Sequence, residues 1–200
     1  MGPNFSRTHA NMQVNGLSVP WCKSLCYLGH TILSGTRISC DFHPAKAKFF
    51  GTTNSIFSKI GGSAPINVLL SLLYTKCIPA LTYAMEAISL NKTLTNNLSH
   101  VYNSIFFKIF SSFDKDVIKQ CQYYCGYLPF SYYYTIKRLK FLAALKDATD
   151  SLPSFLLKWV GKREMISLEE SIGIANSTVL TNFKKEAWRH FSGSLNLVAG

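Results

Sequence analysis

The apolar positions of this chain change period near residue 41. Before that point they come in short runs broken by turn residues. Residues 13–19 read as strand, type I′ turn, strand, because Asn15-Gly16 supplies two residues that accept positive φ, and Pro20 ends the pairing. Residues 25–33 read as one further strand, with Gly29 as a bulge or as a place where another backbone or a ligand comes close. Ser34-Gly35-Thr36 makes a turn. Three short strands bury too little to fold alone, so this sheet is expected to be the edge of something larger.

Beyond Asp41 the spacing becomes helical. Phe42, Ala45, Phe49, Thr53, Ile56 and Ile60 share one face, leaving Lys46, Lys48 and Lys59 on others, and Gly61-Gly62 stops the helix. Ser63 and Pro65 open a second helix through Leu69, Leu70, Leu73, Tyr74 and Cys77, which Pro79 either kinks or replaces with a third running to Leu90. That pair is apolar nearly all round and is expected at the buried centre. Thr93 or Thr95 can cap the next helix, whose stripe of Leu94, Leu98, Val101, Tyr102, Ile105 and Phe106 continues to Ile109 and Phe110. Asp114 caps another, ended by Gly126. Ser131 opens a long helix to about Ala148, and shorter amphipathic pieces follow at 155–160, 164–172 and 179–191. The expected fold class is mainly α: a short N-terminal β-hairpin and strands (1–40), a multi-helix bundle (41–150) and a helical extension (151–200).

Charge narrows the partners. Lys+Arg number 21 against 10 Asp+Glu, a formal +11, which favours a polyanion such as nucleic acid or an anionic membrane surface. Residues 1–140 hold 14 of the basic side chains and only 4 acidic ones, so the excess belongs to the strands and the bundle. A hydrophobic share of 48%, with 14 Phe and 10 Tyr, excludes a disordered chain. The N-terminus lacks the apolar core of a secretory signal. The longest uncharged runs, between Lys59 and Lys76 and between Lys119 and Lys137, are interrupted by Gly and Pro, so no transmembrane segment is expected and the chain reads as intracellular. Cys22 and Cys26, and Cys121 and Cys125, sit at a spacing that could contribute thiolates to zinc; the preferred reading has Cys121 and Cys125 packing as small hydrophobes in a helix and Cys22 and Cys26 on one face of a strand, without disulfides.

One stretch carries a family likeness. Tyr27-Leu28-Gly29-His30 followed by Ile32 resembles the Y-L-G element that follows the catalytic aspartates in reverse transcriptases of non-LTR (LINE-type) retrotransposons. In that family it is the primer grip, a β-hairpin at the palm–thumb junction that holds the 3′ end of the primer. Further along, Lys46-Ala47-Lys48-Phe49-Phe50-Gly51 resembles the basic-aromatic helix after the grip. Pro79-Ala80-Leu81-Thr82-Tyr83-Ala84-Met85-Glu86 resembles the P-x-L-x-Y-G-x-E helix, with Ala84 where the pattern has glycine. Tyr102-Asn103-Ser104-Ile105 and Cys125-Gly126-Tyr127-Leu128-Pro129 resemble later elements, so the likeness covers about residues 14–174.

The resemblance implies the end of the palm, the thumb and part of the helical region beyond. A two-metal polymerase needs clustered carboxylates, yet residues 1–40 contain no Asp or Glu, so the F/Y-x-D-D motif is absent. The magnesium ions would bind in the missing catalytic palm, and no cofactor is expected here. The expectation is therefore a truncated RNA-directed DNA polymerase, inactive by itself, that retains capacity to bind an RNA or DNA template–primer duplex. The resemblance implicates Tyr27, Leu28, Gly29 and His30 at the grip and Lys46 and Lys48 on the following helix, and residue chemistry adds Lys137, Arg138 and Lys140 as nucleic-acid contacts. Those last three lie beside Tyr132, Tyr133 and Tyr134, which offer stacking rings, although helical spacing turns half of the rings to the core. The alternative is a basic helical interaction module without polymerase ancestry, binding nucleic acid or a membrane surface. Glu86, in an apolar helix, is expected to find Lys76 or Lys108. Ser39, Asp41 and His43 compose a triad on paper, but no nucleophile elbow surrounds them.

Overall fold

A computed structural model describes residues 12–35, 39–60, 63–147, 162–173 and 183–195. Strands β1 (Met12–Val14) and β2 (Leu17–Val19) form one antiparallel hairpin. Asn15 and Gly16 both take positive φ, 52° and 78°, as a type I′ turn requires. The single strand expected over 25–33 is instead a second hairpin, β3 (Ser24–Tyr27) and β4 (His30–Leu33), with Tyr27 paired to His30. Its turn is Leu28-Gly29, with φ of 48° and 80°, so Gly29 reverses the chain and does not bulge it. A strand not foreseen, β5 (Ser39–Asp41), pairs with β4 and completes a three-stranded sheet.

Asp41 leads straight into the bundle, its Oδ1 accepting from the His43 N–H at 2.8 Å as helix α1 (His43–Ile60) begins. Phe42, Phe49 and Thr53 are buried, and Ile56 and Ile60 pack on the core edge, as the helical period predicts. Gly61-Gly62 lies outside the described residues. Helix α2 (Ile66–Thr82) starts after Pro65 and passes through Pro79 without ending. It stops at Thr82, and no helix continues to Leu90: Ala84 takes a left-handed conformation, φ 49° and ψ 14°, before a single 3₁₀ turn, Met85–Ala87.

The glycine of the family pattern thus falls at a position whose backbone favours glycine. An L-residue there carries a steric penalty of roughly 1–2 kcal/mol, partly offset in glycine by extra entropy in the unfolded chain. Ala84→Gly should therefore raise the urea-unfolding free energy by about 0.5–1 kcal/mol; a loss of stability would mean that the methyl packs well enough to outweigh the strain.

Helix α3 (Lys92–Phe110) is capped by Asn91, whose Oδ1 accepts from the Leu94 N–H at 2.8 Å, in place of Thr93 or Thr95. Leu98, Val101, Tyr102, Ile105 and Phe106 are buried along its predicted stripe. Helix α4 (Lys115–Tyr124) is capped by Asp114. It closes in a Schellman motif, in which the Gly126 N–H donates to the Tyr123 carbonyl and the Tyr127 N–H to that of Gln122. Gly126 has φ of 77°, and the turn it permits throws Tyr127 back toward α2, where its ring meets Tyr74 at 4.5 Å. Helix α5 (Phe130–Asp147) follows.

The expected piece at 155–160 lies outside the described residues. The other two are helices α6 (Lys162–Ser171) and α7 (Phe183–Ser194). One core joins α1 to α4 with the start of α5; a second joins Leu128, Ile136 and Leu139 to Ile172, Phe183 and Phe191. The tail therefore packs on α5. Residues Ile66–Ala87 reach the length and apolarity of a membrane span, and Leu69, Leu70, Leu73, Cys77, Ile78 and Leu81 of that stretch are buried in the main core.

Candidate functional site

Two clefts gather five of the nine implicated residues: Gly29, His30 and Lys48 in one, Lys137 and Lys140 in the other. The first lies where the β3–β4 turn meets α1 and α2, with a volume of about 520 Å³. Among the described residues its charged groups are Lys48 of α1 and Lys76 of α2, and no carboxylate lines it. His30, the first residue of β4, stacks flat on Tyr83, centroids 5.7 Å apart and planes within 2°, and meets Phe42 edge-on at 6.1 Å. These two rings hold the hairpin against the helices. Tyr83 remains 58% exposed, so part of its ring is available beside the lysines. The His30 Nε2 is buried without a hydrogen-bond partner among the described residues, a state that a ligand oxygen or water in the cleft would relieve. Pro79 also lines the cleft; lacking an N–H, it leaves the Thr75 carbonyl without its helical donor.

Gly29 is the only residue of the hairpin tip that lines this cleft. Tyr27 and Leu28 are 62% and 68% exposed, and neither lines the cleft. Leu28 is an apolar side chain held at positive φ on an exposed turn, a combination that folding alone does not reward. Lys46 is half-buried on α1 outside the lining.

The second cleft, about 350 Å³, opens between α2, the α4–α5 connection, α5 and α7. Lys137 and Lys140, one turn apart on α5, are joined by Lys184 of α7. Tyr74 and Tyr127 form its inner wall. Burial pushes the Tyr74 phenol up to about 12 and the Tyr127 phenol upward, so both hydroxyls are neutral at physiological pH. The Lys137 Nζ lies 5.3 Å from the Tyr133 ring centre and reaches the Thr82 hydroxyl at 3.4 Å.

Arg138 belongs to neither cleft. Its guanidinium donates to Glu164 through Nε at 3.0 Å and Nη2 at 2.8 Å, and through Nη1 to the Glu86 carbonyl at 2.7 Å. The arginine lies one turn after Tyr134, on the face of α5 that meets the 3₁₀ turn and α6, so its bonds go to protein groups and it lines neither cleft. The three tyrosines divide likewise: Tyr134 is buried, Tyr132 bonds to His190 Nδ1 at 2.8 Å, and Tyr133 alone sits with the lysines.

Glu86 does not find Lys76 or Lys108. The left-handed turn at Ala84 carries it away from the α2 helix, its Oε2 is buried without a hydrogen-bond partner among the described residues, and Lys108 reaches Asn54 at 3.3 Å instead. Asp41 caps α1, which removes it from the paper triad. Among the described residues no three His, Cys, Asp or Glu side chains gather as a metal would require; Cys22 and Cys26 are exposed, and Cys121 and Cys125 are half-buried.

Lys76, Tyr83, Tyr74, Lys184 and Trp188 were not singled out from the sequence as ligand-facing. Tyr83 stood inside a quoted motif, whereas Lys184 and Trp188 carry no local signal, because only the docking of α7 on α5 brings them to the cleft. No family model, curated protein or solved structure matches this chain.

Proposed function

We propose that this chain binds a nucleic-acid strand in the first cleft and corresponds to the end of the palm and the thumb of a LINE-type reverse transcriptase. One observation carries the reading. Three elements that resemble the family separately, and lie far apart in sequence, contribute to the same cleft: Gly29 and His30, Lys48, and Pro79 with Tyr83. The hairpin form of the Tyr27–His30 element and the left-handed backbone at Ala84 agree with the same pattern.

In this reading the two lysines neutralise backbone phosphates, while the exposed part of the Tyr83 ring packs against a sugar or terminal base. Polymerisation would need carboxylates supplied outside this sequence. The strands favour that arrangement too, since Met12, Val14, Leu17, Val19 and Leu25 are all more than 40% exposed and would be covered by a palm. They equally suit the second reading, a basic helical module without polymerase ancestry that binds nucleic acid or a membrane surface, with an apolar partner covering the strands.

Binding to a labelled primer–template with a recessed 3′ end tests the proposal. Fluorescence anisotropy should give micromolar or weaker affinity with little sequence preference, and log K should fall by roughly 0.9 per neutralised phosphate for each tenfold rise in salt. Lys48→Glu with Lys76→Glu should reduce that slope by about 2 and weaken binding at least tenfold, while Lys115→Glu on α4 changes neither by as much. A flat salt dependence, or a double variant that binds like the parent, would overturn the proposal.

A further inference from the structure

The second cleft combines features that a duplex-binding surface does not need. We propose that it seats one unstacked nucleobase, with its phosphate, from a single-stranded nucleic-acid segment. Rings and cations here are arranged in layers. Tyr74 and Tyr127 are tilted by 37° with centroids 4.5 Å apart, and Tyr133 stands edge-on to Tyr74 at 6.2 Å. Trp188 of α7 completes the wall, held from behind by Tyr123 and Phe191 at 6.2 and 5.9 Å. Around this wall stand Lys137, Lys140 and Lys184, and among the described residues no carboxylate lines the cleft. Among the described residues none of the three lysines is in an ion pair.

The charges call for an anion, and the rings call for a flat apolar group within a lysine's reach of it. A nucleotide is the polyanion unit that supplies both. A volume near 350 Å³ suits one nucleotide and excludes a double helix. Bases in a duplex already stack on each other, whereas an unpaired base gains roughly 5- to 150-fold in affinity from each aromatic platform. A membrane surface would satisfy the lysines and leave a recessed ring wall unused. The proposal rests on residues separate from those of the first cleft and stands whether or not that cleft holds a primer.

The test uses the whole chain and three labelled probes of equal length: oligothymidylate, the same backbone without bases, and a blunt duplex. Oligothymidylate should bind at least fivefold tighter than the abasic strand. Lys140→Glu with Lys184→Glu, both exposed positions, should lower oligothymidylate affinity tenfold or more and leave duplex affinity within about twofold. Irradiating the chain with a bromouracil-containing oligomer should place the crosslink on the peptides bearing Tyr127 or Trp188. Equal binding of abasic and base-bearing strands overturns the proposal, as do equal losses on single strand and duplex or crosslinks confined to other peptides. Phosphatidylserine vesicles binding in place of the oligomer, and released by the same double variant, would assign the cleft to a membrane surface instead.

Discussion

Replacing Arg138 by alanine is expected to cost the chain about 3–5 kcal/mol of folding free energy, the range for removing one partner of a buried ion pair. The arginine side chain is 9% exposed and its Glu164 partner 19%, so water screens the pair only weakly. Two parallel bonds satisfy both carboxylate oxygens, and a third satisfies the Glu86 carbonyl. Alanine leaves the Glu164 carboxylate half-desolvated without a cation and strips a carbonyl of its donor, and desolvation is the larger part of the loss. Lysine should restore little, because an ammonium cannot make the planar fork. Arg138→Met with Glu164→Leu should recover most of the stability, since both charges leave together. Urea unfolding of the four proteins measures this; a loss below about 1 kcal/mol for Arg138→Ala would place the pair with exposed ones.

Ile105→Ala should cost about 2–5 kcal/mol, the span for truncating a buried aliphatic side chain without full collapse of the cavity. Ile105 is 2% exposed in the middle of α3, between Tyr102 and Phe106 on the same buried face. Tyr102 is pinned by its hydroxyl donating to the Leu128 carbonyl at 2.9 Å, which limits how far neighbours can close the gap. The midpoint of urea unfolding should fall with little change in its slope. A cost near zero would mean that the α3 stripe is not core.

Local pattern made some of this fold readable and left other parts hidden. The α3 stripe was legible because every residue that defines it lies within one helix, so period alone locates the buried face. Asp114 was legible as a cap for the same reason. Asn91 was not, since the choice among Asn91, Thr93 and Thr95 depends on where the chain enters the helix. Residue pattern alone missed the β3–β4 turn, where the family resemblance implied a hairpin, because leucine seldom takes positive φ and only Gly29 bore a turn signature. Pro79 was ambiguous because packing on both sides keeps α2 going past a residue that would end an isolated helix. Among the site residues, helical spacing separated Lys137 and Lys140 from Arg138 by angle but could not say which face a neighbour would cover. The answer lay with Glu164, 26 positions away.

The stretch between α2 and α3 has consequences for the order of folding. Its backbone is completed largely by side chains of one helix face: the Tyr134 hydroxyl donates to the Ile88 carbonyl at 2.8 Å and accepts from the Leu90 N–H at 3.0 Å, and Arg138 takes the Glu86 carbonyl. These partners lie 44 to 52 positions downstream, so their contacts require closing a long loop before any reward is collected. A nascent α2 and α3 can each form from local contacts, and so can the 3₁₀ turn between them, but the Glu86 and Ile88 carbonyls and the Leu90 N–H lack these partners until α5 arrives. On a ribosome, the Glu86 and Ile88 carbonyls would wait in water for residues 134 and 138 to emerge, so this corner would set later than the helices it joins.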